Sequence, residues 1–348
     1  MDGMPRAEST PAARASASIR DVARLAGVSH MTVSRVLNHH PNVSDATRER
    51  VERVIAELHF RPSRTARALA HGSSKVIGVL EAAGGRFHGP ASTVAAIEDA
   101  ARAEGFSVMI AVIDADDPES EAAGVEHLLD QGAVGLILVS PRARASGALT
   151  DAAAGVPLVA MHAAAGAAEA LSGAADQIEG GRIAARHLLE LGHTRLAHLA
   201  GPEGWLEAES RARGFAAELA SRGLDAVAVE TGDWTAESGY RLGRELLRTG
   251  GFTAVFSAND QMALGLLHAA REAGVDVPGE LSVVGFDDIG EAAHYAPALT
   301  TLRQDFPELG RRAIATLLAR LTGGEAPGPM PAPTLIVRES TRALRFLG

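Results

Sequence analysis

From Lys75 onward, short apolar runs alternate with segments of helical length, and this alternation narrows the possible folds more than any other feature of the chain. VIGVL, SVMIAV, GLILVS and VPLVAM form one set, and RLAHLAG, TAVFSA and LSVVGF form a second. Helix-length segments lie between them, such as Ser92 to Glu104 and Glu119 to Gln131. Strands spaced by helices point to an α/β fold of parallel sheets covered on both faces. Two sets predict two lobes with a cleft between them. Ligands of open α/β sheets sit beyond the carboxyl ends of the strands, so residues just after RLAHLAG, TAVFSA and LSVVGF are candidate binders. Those positions hold Asn259 and Asp260, Asp287 and Asp288, and Arg211 near the start of the following helix. Taken as a lone dipeptide, the Asp287–Asp288 pair reads better as a solvated strand end.

The first 75 residues have a different character. A net charge of -10 over 348 residues argues on average against a nucleic-acid partner. The charge is segregated, however: residues 1–75 carry 12 Lys+Arg against 7 Asp+Glu, and the remainder 21 against 36. A basic head on an acidic body suits contact with DNA through one end. A length of 348 residues exceeds what one core organises, so two or three domains are expected. The chain has no cysteine, which excludes a disulfide framework, a thiolate metal site and a cysteine nucleophile. Residues 1–17 lack the apolar stretch of a signal peptide and are expected to be a disordered tail. The uncharged stretch 152–168 is mostly Ala and Gly, interrupted by Pro157 and His162, too weakly apolar for a membrane span.

Ser18 begins SIRDVARLAGVSHMTVSRVLN, whose punctuation is that of two short helices around a tight turn. Ser18 with Asp21 makes an N-terminal capping pair, and Val22 and Leu25 are expected on the buried face. Gly27 stops the first helix, and Ser29 caps a second with Val33, Val36 and Leu37 turned inward. His30, Met31, Ser34 and Arg35 are left outward. A third helix from Ser44 to about Leu58 has Val51, Val54, Ile55 and Leu58 as its core stripe. The pattern fits a helix-turn-helix, although spacing alone would favour a structural three-helix bundle. After Phe60 comes RPSRTARALAHG, with Arg61, Arg64 and Arg67 spaced by three and Leu69 its one large apolar residue. A helix this short is expected to order only against DNA and a second copy.

Through IRDVARLAGVS, TVSRVLN, VSDATRERV and RPSRTARALA, the run from Ser18 to Gly78 resembles the headpiece and hinge of the LacI/GalR family of bacterial repressors. TGDWTAESGY, SANDQMALG, SVVGFDDI and LTTLRQDF extend the resemblance over about 270 further residues, closest in motifs to the family's galactoside-responsive member. The resemblance implies a tail at 1–17, a headpiece at 18–60, a hinge helix and linker at 61–75, and a two-lobed, periplasmic-binding-protein-like body at 76–348. It implies DNA contacts from Ser29, His30, Met31, Thr32, Ser34, Arg35 and Asn38, with Arg64, Ala66 and Leu69 in the hinge. Leu69 would wedge into the minor groove. In the body, Arg211, Asn259 and Asp287 would bond the hydroxyls of a neutral saccharide or close relative, with Gln304 nearby and Trp234 and Phe306 against its apolar face. The expected partners are an inverted-repeat DNA operator, a small-molecule effector and a second copy in a twofold dimer. No cofactor, metal or membrane is implied, and a cytoplasmic repressor of sugar-utilisation genes is. One departure concerns specificity: His162 stands where the galactoside-responsive member has a ligand-contacting aspartate, and Val139 replaces a polar cleft residue. Which saccharide binds, and whether it releases or strengthens DNA binding, stays open.

Enzymatic signatures are missing. The chain has no G-x-G, no G-x-S-x-G and no H-E-x-x-H, and its one lysine, Lys75, follows Ser74, so there is no phosphate-binding G-K-[ST] loop. His187, Glu190 and His193 read as surface residues, since six-residue spacing puts the two histidines on different helix faces. A secreted sugar receptor would have no use for Ser18 to Gly72. No leucine repeat follows Thr341, so the dimer is expected without a tetramerising tail.

Overall fold

The computed structural model describes residues 18–37, 40, 42–58, 74–82, 87–114, 117–140, 147–153, 155–161, 174–328 and 330–344. The chain divides into two units, Met1–Ser74 and Lys75–Gly348.

In the first unit, α1 (Ile19–Ala26), α2 (His30–Leu37) and α3 (Asp45–Glu57) surround a small core. Ser18 and Asp21 cap each other's backbone at the start of α1, and Gly27 ends it with φ 64, a left-handed conformation that glycine adopts without a Cβ clash. The buried face of α1 is Val22, Ala23 and Ala26. Leu25, expected beside Val22, is instead 54% exposed. Val22, Ala23 and Ala26, at i, i+1 and i+4, form the inward stripe, which leaves Leu25 on the outer side. Val51 and Val54 of α3 are buried as expected, with Ile55 and Leu58 partly covered.

The second unit contains two sheets. The first joins β1 (Val76–Glu81), β2 (Ser107–Val112), β3 (Ala133–Val139) and β4 (Leu158–Ala160) in the order β2-β1-β3-β4, all parallel. Its helices are α4 (His88–Ala103), α5 (Pro118–Asp130) and α6 (Gly147–Ala152). Because strand side chains alternate, Ile77, Val79 and Ile137 pack on one face and Leu80, Leu136 and Leu138 on the other. The second sheet comprises β5 (Leu196–Ala200), β6 (Ala228–Thr231), β7 (Ala254–Ser257), β8 (Ser282–Asp287), β9 (Thr300–Arg303) and β10 (Thr334–Ile336). Its order is β10-β9-β8-β7-β5-β6, parallel except for β10. α7 (Ala174–Glu190), α8 (Leu206–Ala220), α9 (Ala236–Thr249) and α10 (Asp260–Glu272) cover it. All seven apolar runs seen in the sequence are strands. β6, β9 and β10 are further strands, of three or four residues, that are not among those runs.

The late helix α11 (Phe306–Thr322) does not stay with the sheet that precedes it. Its Leu309, Ala313, Ile314 and Leu317 enter the core of the first lobe. It meets α4 at Gly310, where a Cβ would collide with the carbonyl of Ala96. Residues 304–305 therefore carry the chain from the second lobe to the first. α7 and α8 also touch backbone to backbone, since a Cβ on Gly214 would collide with the Ile178 carbonyl. That contact fixes the axis of the helix bearing Arg211.

His193 is buried, contrary to its reading as a surface residue. It bonds Thr253 at 2.8 Å, Ser282 at 3.0 Å and the Arg342 carbonyl at 3.2 Å. His187 is half-buried against Thr341 at 3.1 Å. The cause is tertiary: the chain end folds back, Leu344 donating to the Leu191 carbonyl at 2.7 Å, and covers the end of α7. Burial pushes both imidazoles below their ordinary pKa. Among the described residues, no helix is long and apolar enough to cross a membrane.

Candidate functional site

The headpiece offers one polar surface. The Ser29 hydroxyl accepts from Thr32 N at 3.1 Å and so starts α2, while Val33 and Val36 lock its inner side into the core. His30, Met31 and Arg35 are exposed, and Thr32 and Ser34 half-buried. Arg50 donates to the Ala26 carbonyl at 3.0 Å, tying α3 to the turn ahead of α2. An α-helix held by its inner face and bare on the outer one is the element that fits a major groove. Asn38, Arg64, Ala66, Leu69 and His162 lie outside the described residues.

Between the two lobes of the body is a cavity of about 250 Å³. The first lobe contributes Phe87, His88, Gly89 and Pro90 to it; the second contributes Trp205, Glu207, Arg211, Trp234, Thr235, Asn259, Gln261 and Asp287. A smaller crevice of about 30 Å³ adjoins, lined by Val139, Gln304 and Phe306 among others and sharing Glu207 and Arg211 with the larger one. Four of the expected binders, Arg211, Trp234, Asn259 and Asp287, thus meet in the main cavity. Gln304 and Phe306 meet Arg211 in the crevice.

A closed ring of hydrogen bonds forms the cleft floor. Arg211 Nε donates to Gln177 Oε1 at 2.8 Å, and Gln177 Nε2 donates to Gln304 Oε1 at 2.7 Å. Gln304 Nε2 then donates to Asp287 Oδ1 at 2.7 Å, which also faces Arg211 Nη2 at 3.4 Å. Arg211 further donates to the Ala258 carbonyl at 2.5 Å and lies 3.7 Å over the Phe286 ring. Burial pushes the Asp287 carboxyl above the usual range, and the charges of Arg211 and His88 oppose that shift. A buried guanidinium and carboxylate that satisfy each other remain able to bond hydroxyls of one polar ligand.

The backbone decides which aspartate faces the cleft. Asp287 has φ 106 and Asp288 φ 53, sparsely populated conformations costing roughly 1–3 kcal/mol each. The twist splits the pair. Asp287 enters the cleft, whereas Asp288 is clamped by Arg303 and Arg338, each at 2.6 Å, with its side chain 5% exposed. Asp288 is therefore a structural ion-pair centre.

Asn259 and Trp234 are coupled. Asn259 Oδ1 accepts from Met262 N at 2.9 Å and caps α10, while its amide donates to the Trp234 carbonyl at 3.0 Å and to Gln261 Oε1 at 2.9 Å. With both amide hydrogens used, Asn259 holds Trp234 and Gln261 in place. Trp234 has φ 71, and its ring lies on Gly201, where a Cβ would strike it. Trp205 stands edge-on to both Phe87, at 5.1 Å, and Trp234, at 5.6 Å.

Sequence reasoning missed Phe87, His88, Trp205, Glu207 and Gln177. Trp205 and Glu207 follow RLAHLAG, and Phe87 and His88 follow VIGVL, so the strand-end rule could have found them. Gln177 gave no signal, because it reaches the site from a helix on the far side of the ring.

Residues 18–63 match the model of bacterial regulatory proteins, lacI family, and residues 185–341 that of a periplasmic binding protein-like domain. The chain is 36% identical to the lactose operon repressor of Escherichia coli (strain K12) over 336 residues, 93% of this chain and 90% of that protein. It is 34% identical to the ribose operon repressor of the same organism, over 88% of this chain and 93% of that one. Among solved structures, the lac repressor dimer bound to operator and the anti-inducer ONPF superposes with a TM-score of 0.84 at 36% identity, covering 94% of this chain and 99% of that one. The transcriptional regulator CelR–cellobiose complex gives 0.68 at 32% identity, covering 93% and 99%. An exposed recognition helix, a two-lobed body and similarity along nearly the whole chain place this protein in the lacI family of bacterial regulatory proteins.

Proposed function

We propose that this protein is a repressor of sugar-utilisation genes that binds an inverted-repeat operator as a dimer and is released by a saccharide held between its lobes. The observation that carries the reading is the Arg211–Gln177–Gln304–Asp287 ring, which places oriented polar groups at a cleft both lobes line. Arg211 and Asp287 bond ligand hydroxyls, and Trp234, set by Asn259, offers a face to the sugar ring, with Phe306 at the crevice. Relatives named for lactose and ribose operons, and one solved with cellobiose, support the ligand class. The site binds and performs no catalysis. On DNA, His30, Met31 and Arg35 read bases while Ser29, Thr32 and Ser34 meet the backbone; Asn38, Arg64, Ala66 and the Leu69 wedge extend the interface, and His162 adjusts sugar choice. A second copy would cover edge strand β2, where Ile110 is 49% and Val112 67% exposed. The protein acts in the cytoplasm, where its operator lies.

A ligand shifts the lobes only by its differential affinity for their two arrangements. The test is selection of operator sequences from a randomised palindrome, followed by gel shifts with a sugar panel. A sugar that binds but leaves operator affinity unchanged, or a protein that selects no sequence, would refute the proposal.

A further inference from the structure

Helices of the body begin in two ways. α5, α9, α10 and α11 start at Asp117, Thr235, Asn259 and Asp305, whose side chains each accept from a backbone N–H of the first turn. α4 starts at Phe87 and α8 at Trp205, neither of which makes a side-chain cap. Two helices of opposite lobes thus give up the stabilisation of a polar cap, and the aromatic rings placed there instead meet. The Phe87 and Trp205 ring centroids are 5.1 Å apart, with the planes at 88°. A local rule broken at the same position in both lobes marks a site where something other than helix stability decides the residue.

The two rings form a right-angled corner in the wall of the cleft, and both are only half-buried. Trp205 leads on to Trp234 at 5.6 Å, and the Arg211 guanidinium lies 5.6 Å from the Trp234 ring. An aromatic wall therefore runs from the polar floor to the opposite lobe. A pyranose packed on Trp234, with its hydroxyls at Arg211 and Asp287, leaves the corner to whatever is linked to it. A ring set in that corner lies face-on to one wall and edge-on to the other, the two arrangements that aromatic partners prefer. Covering the half-exposed aromatic surface adds hydrophobic stabilisation.

We infer that the effector is a glycoside whose aglycone is itself a ring, an aryl group or a second sugar, seated in the Phe87–Trp205 corner. The inference rests on the saccharide reading above and deepens it. One wall of the corner comes from each lobe, so the aglycone ties the lobes together.

Calorimetry on the full chain tests it. The ligands are the methyl and phenyl glycosides of glucose, galactose and xylose, in both anomers, and disaccharides carrying the same sugars as their non-reducing unit. A phenyl glycoside, a disaccharide or both should bind at least about tenfold more tightly than the matching methyl glycoside, and whichever gains identifies the aglycone. Trp205→Leu, which keeps apolar bulk without a flat face, should bring that ratio to within about twofold. Trp205→Phe should retain part of the ratio, and Phe87→Leu should lower it from the other wall. A preference that survives both leucine variants would overturn the inference. Methyl glycosides that bind as tightly as their ring-bearing counterparts would also overturn it while leaving the saccharide reading standing; binding of no sugar would remove both.

Discussion

Gln304 donates its side-chain amide to Asp287 at 2.7 Å, and this bond ties the end of β8 to the segment that carries the chain between the lobes. Anything that moves Asp287 is felt at the crossover. Gln304→Ala should therefore weaken the link between sugar binding and DNA release, because Gln177 and Asp287 each lose a partner. Leaving such buried groups unpaired costs about 1–3 kcal/mol. Urea unfolding gives the stability loss, and operator affinity with and without effector gives the coupling. An unchanged ratio of the two operator affinities would show Gln304 to be a passive part of the floor.

Arg211 and Asp287 should respond unequally to truncation. Arg211→Ala removes the ion-pair partner of the buried carboxylate and leaves it only the smaller influence of His88, a loss of about 3–5 kcal/mol for a broken buried pair. Its carboxyl would then rise still further above the usual range. Asp287→Ala is milder, since Arg211 keeps Gln177, the Ala258 carbonyl and the Phe286 ring. Both variants should bind operator without responding to effector. Equal stability losses, measured by denaturant unfolding, would contradict the asymmetry.

His198 makes the body sensitive to acid. It stacks on Phe256 at 4.8 Å and Phe215 at 5.2 Å, bonds the Phe256 carbonyl at 2.9 Å, and is held by burial down to a pKa of about 4. The unfolded chain takes up this proton near pH 6.5 and the folded one only near 4. Stability from the neutral ring is therefore complete above about pH 6.5 and is lost as pH falls toward 4. Between pH 7 and pH 5 the loss should be about 2 kcal/mol. Asp260 works the opposite way, since burial first and the Asp287 charge second raise it to about 8. The comparison to make is wild type against His198→Phe, which keeps the stack without a titrating group. Identical pH profiles for the two proteins would rule His198 out.

On the headpiece, exposed His30 and Met31 open α2, with Arg35 about one turn on. Replacing His30 and Met31 together should change which operator is preferred, because a good bidentate base contact is worth about 1–3 kcal/mol of discrimination and apolar contacts choose differently. Binding curves across an operator library decide. A uniform loss on every sequence would make the two residues backbone contacts.

Local chemistry made much of this protein legible from its residues alone. The Ser18 and Ser29 caps, the Gly27 stop and the seven strand runs depend on neighbours a few positions away, and the structure shows each of them. The strand-end rule likewise pointed at Arg211, Asn259 and Asp287. What it could not separate was Asp287 from Asp288, because that choice rests on φ angles held by Arg303 and Arg338. Leu25 pointing outward, His193 buried under the chain end and α11 crossing to the first lobe were equally hidden. Gln177 meets Gln304 across 127 positions. No periodicity records such a contact: local pattern determines which face of an element is apolar, but only the packed chain decides which distant element covers it.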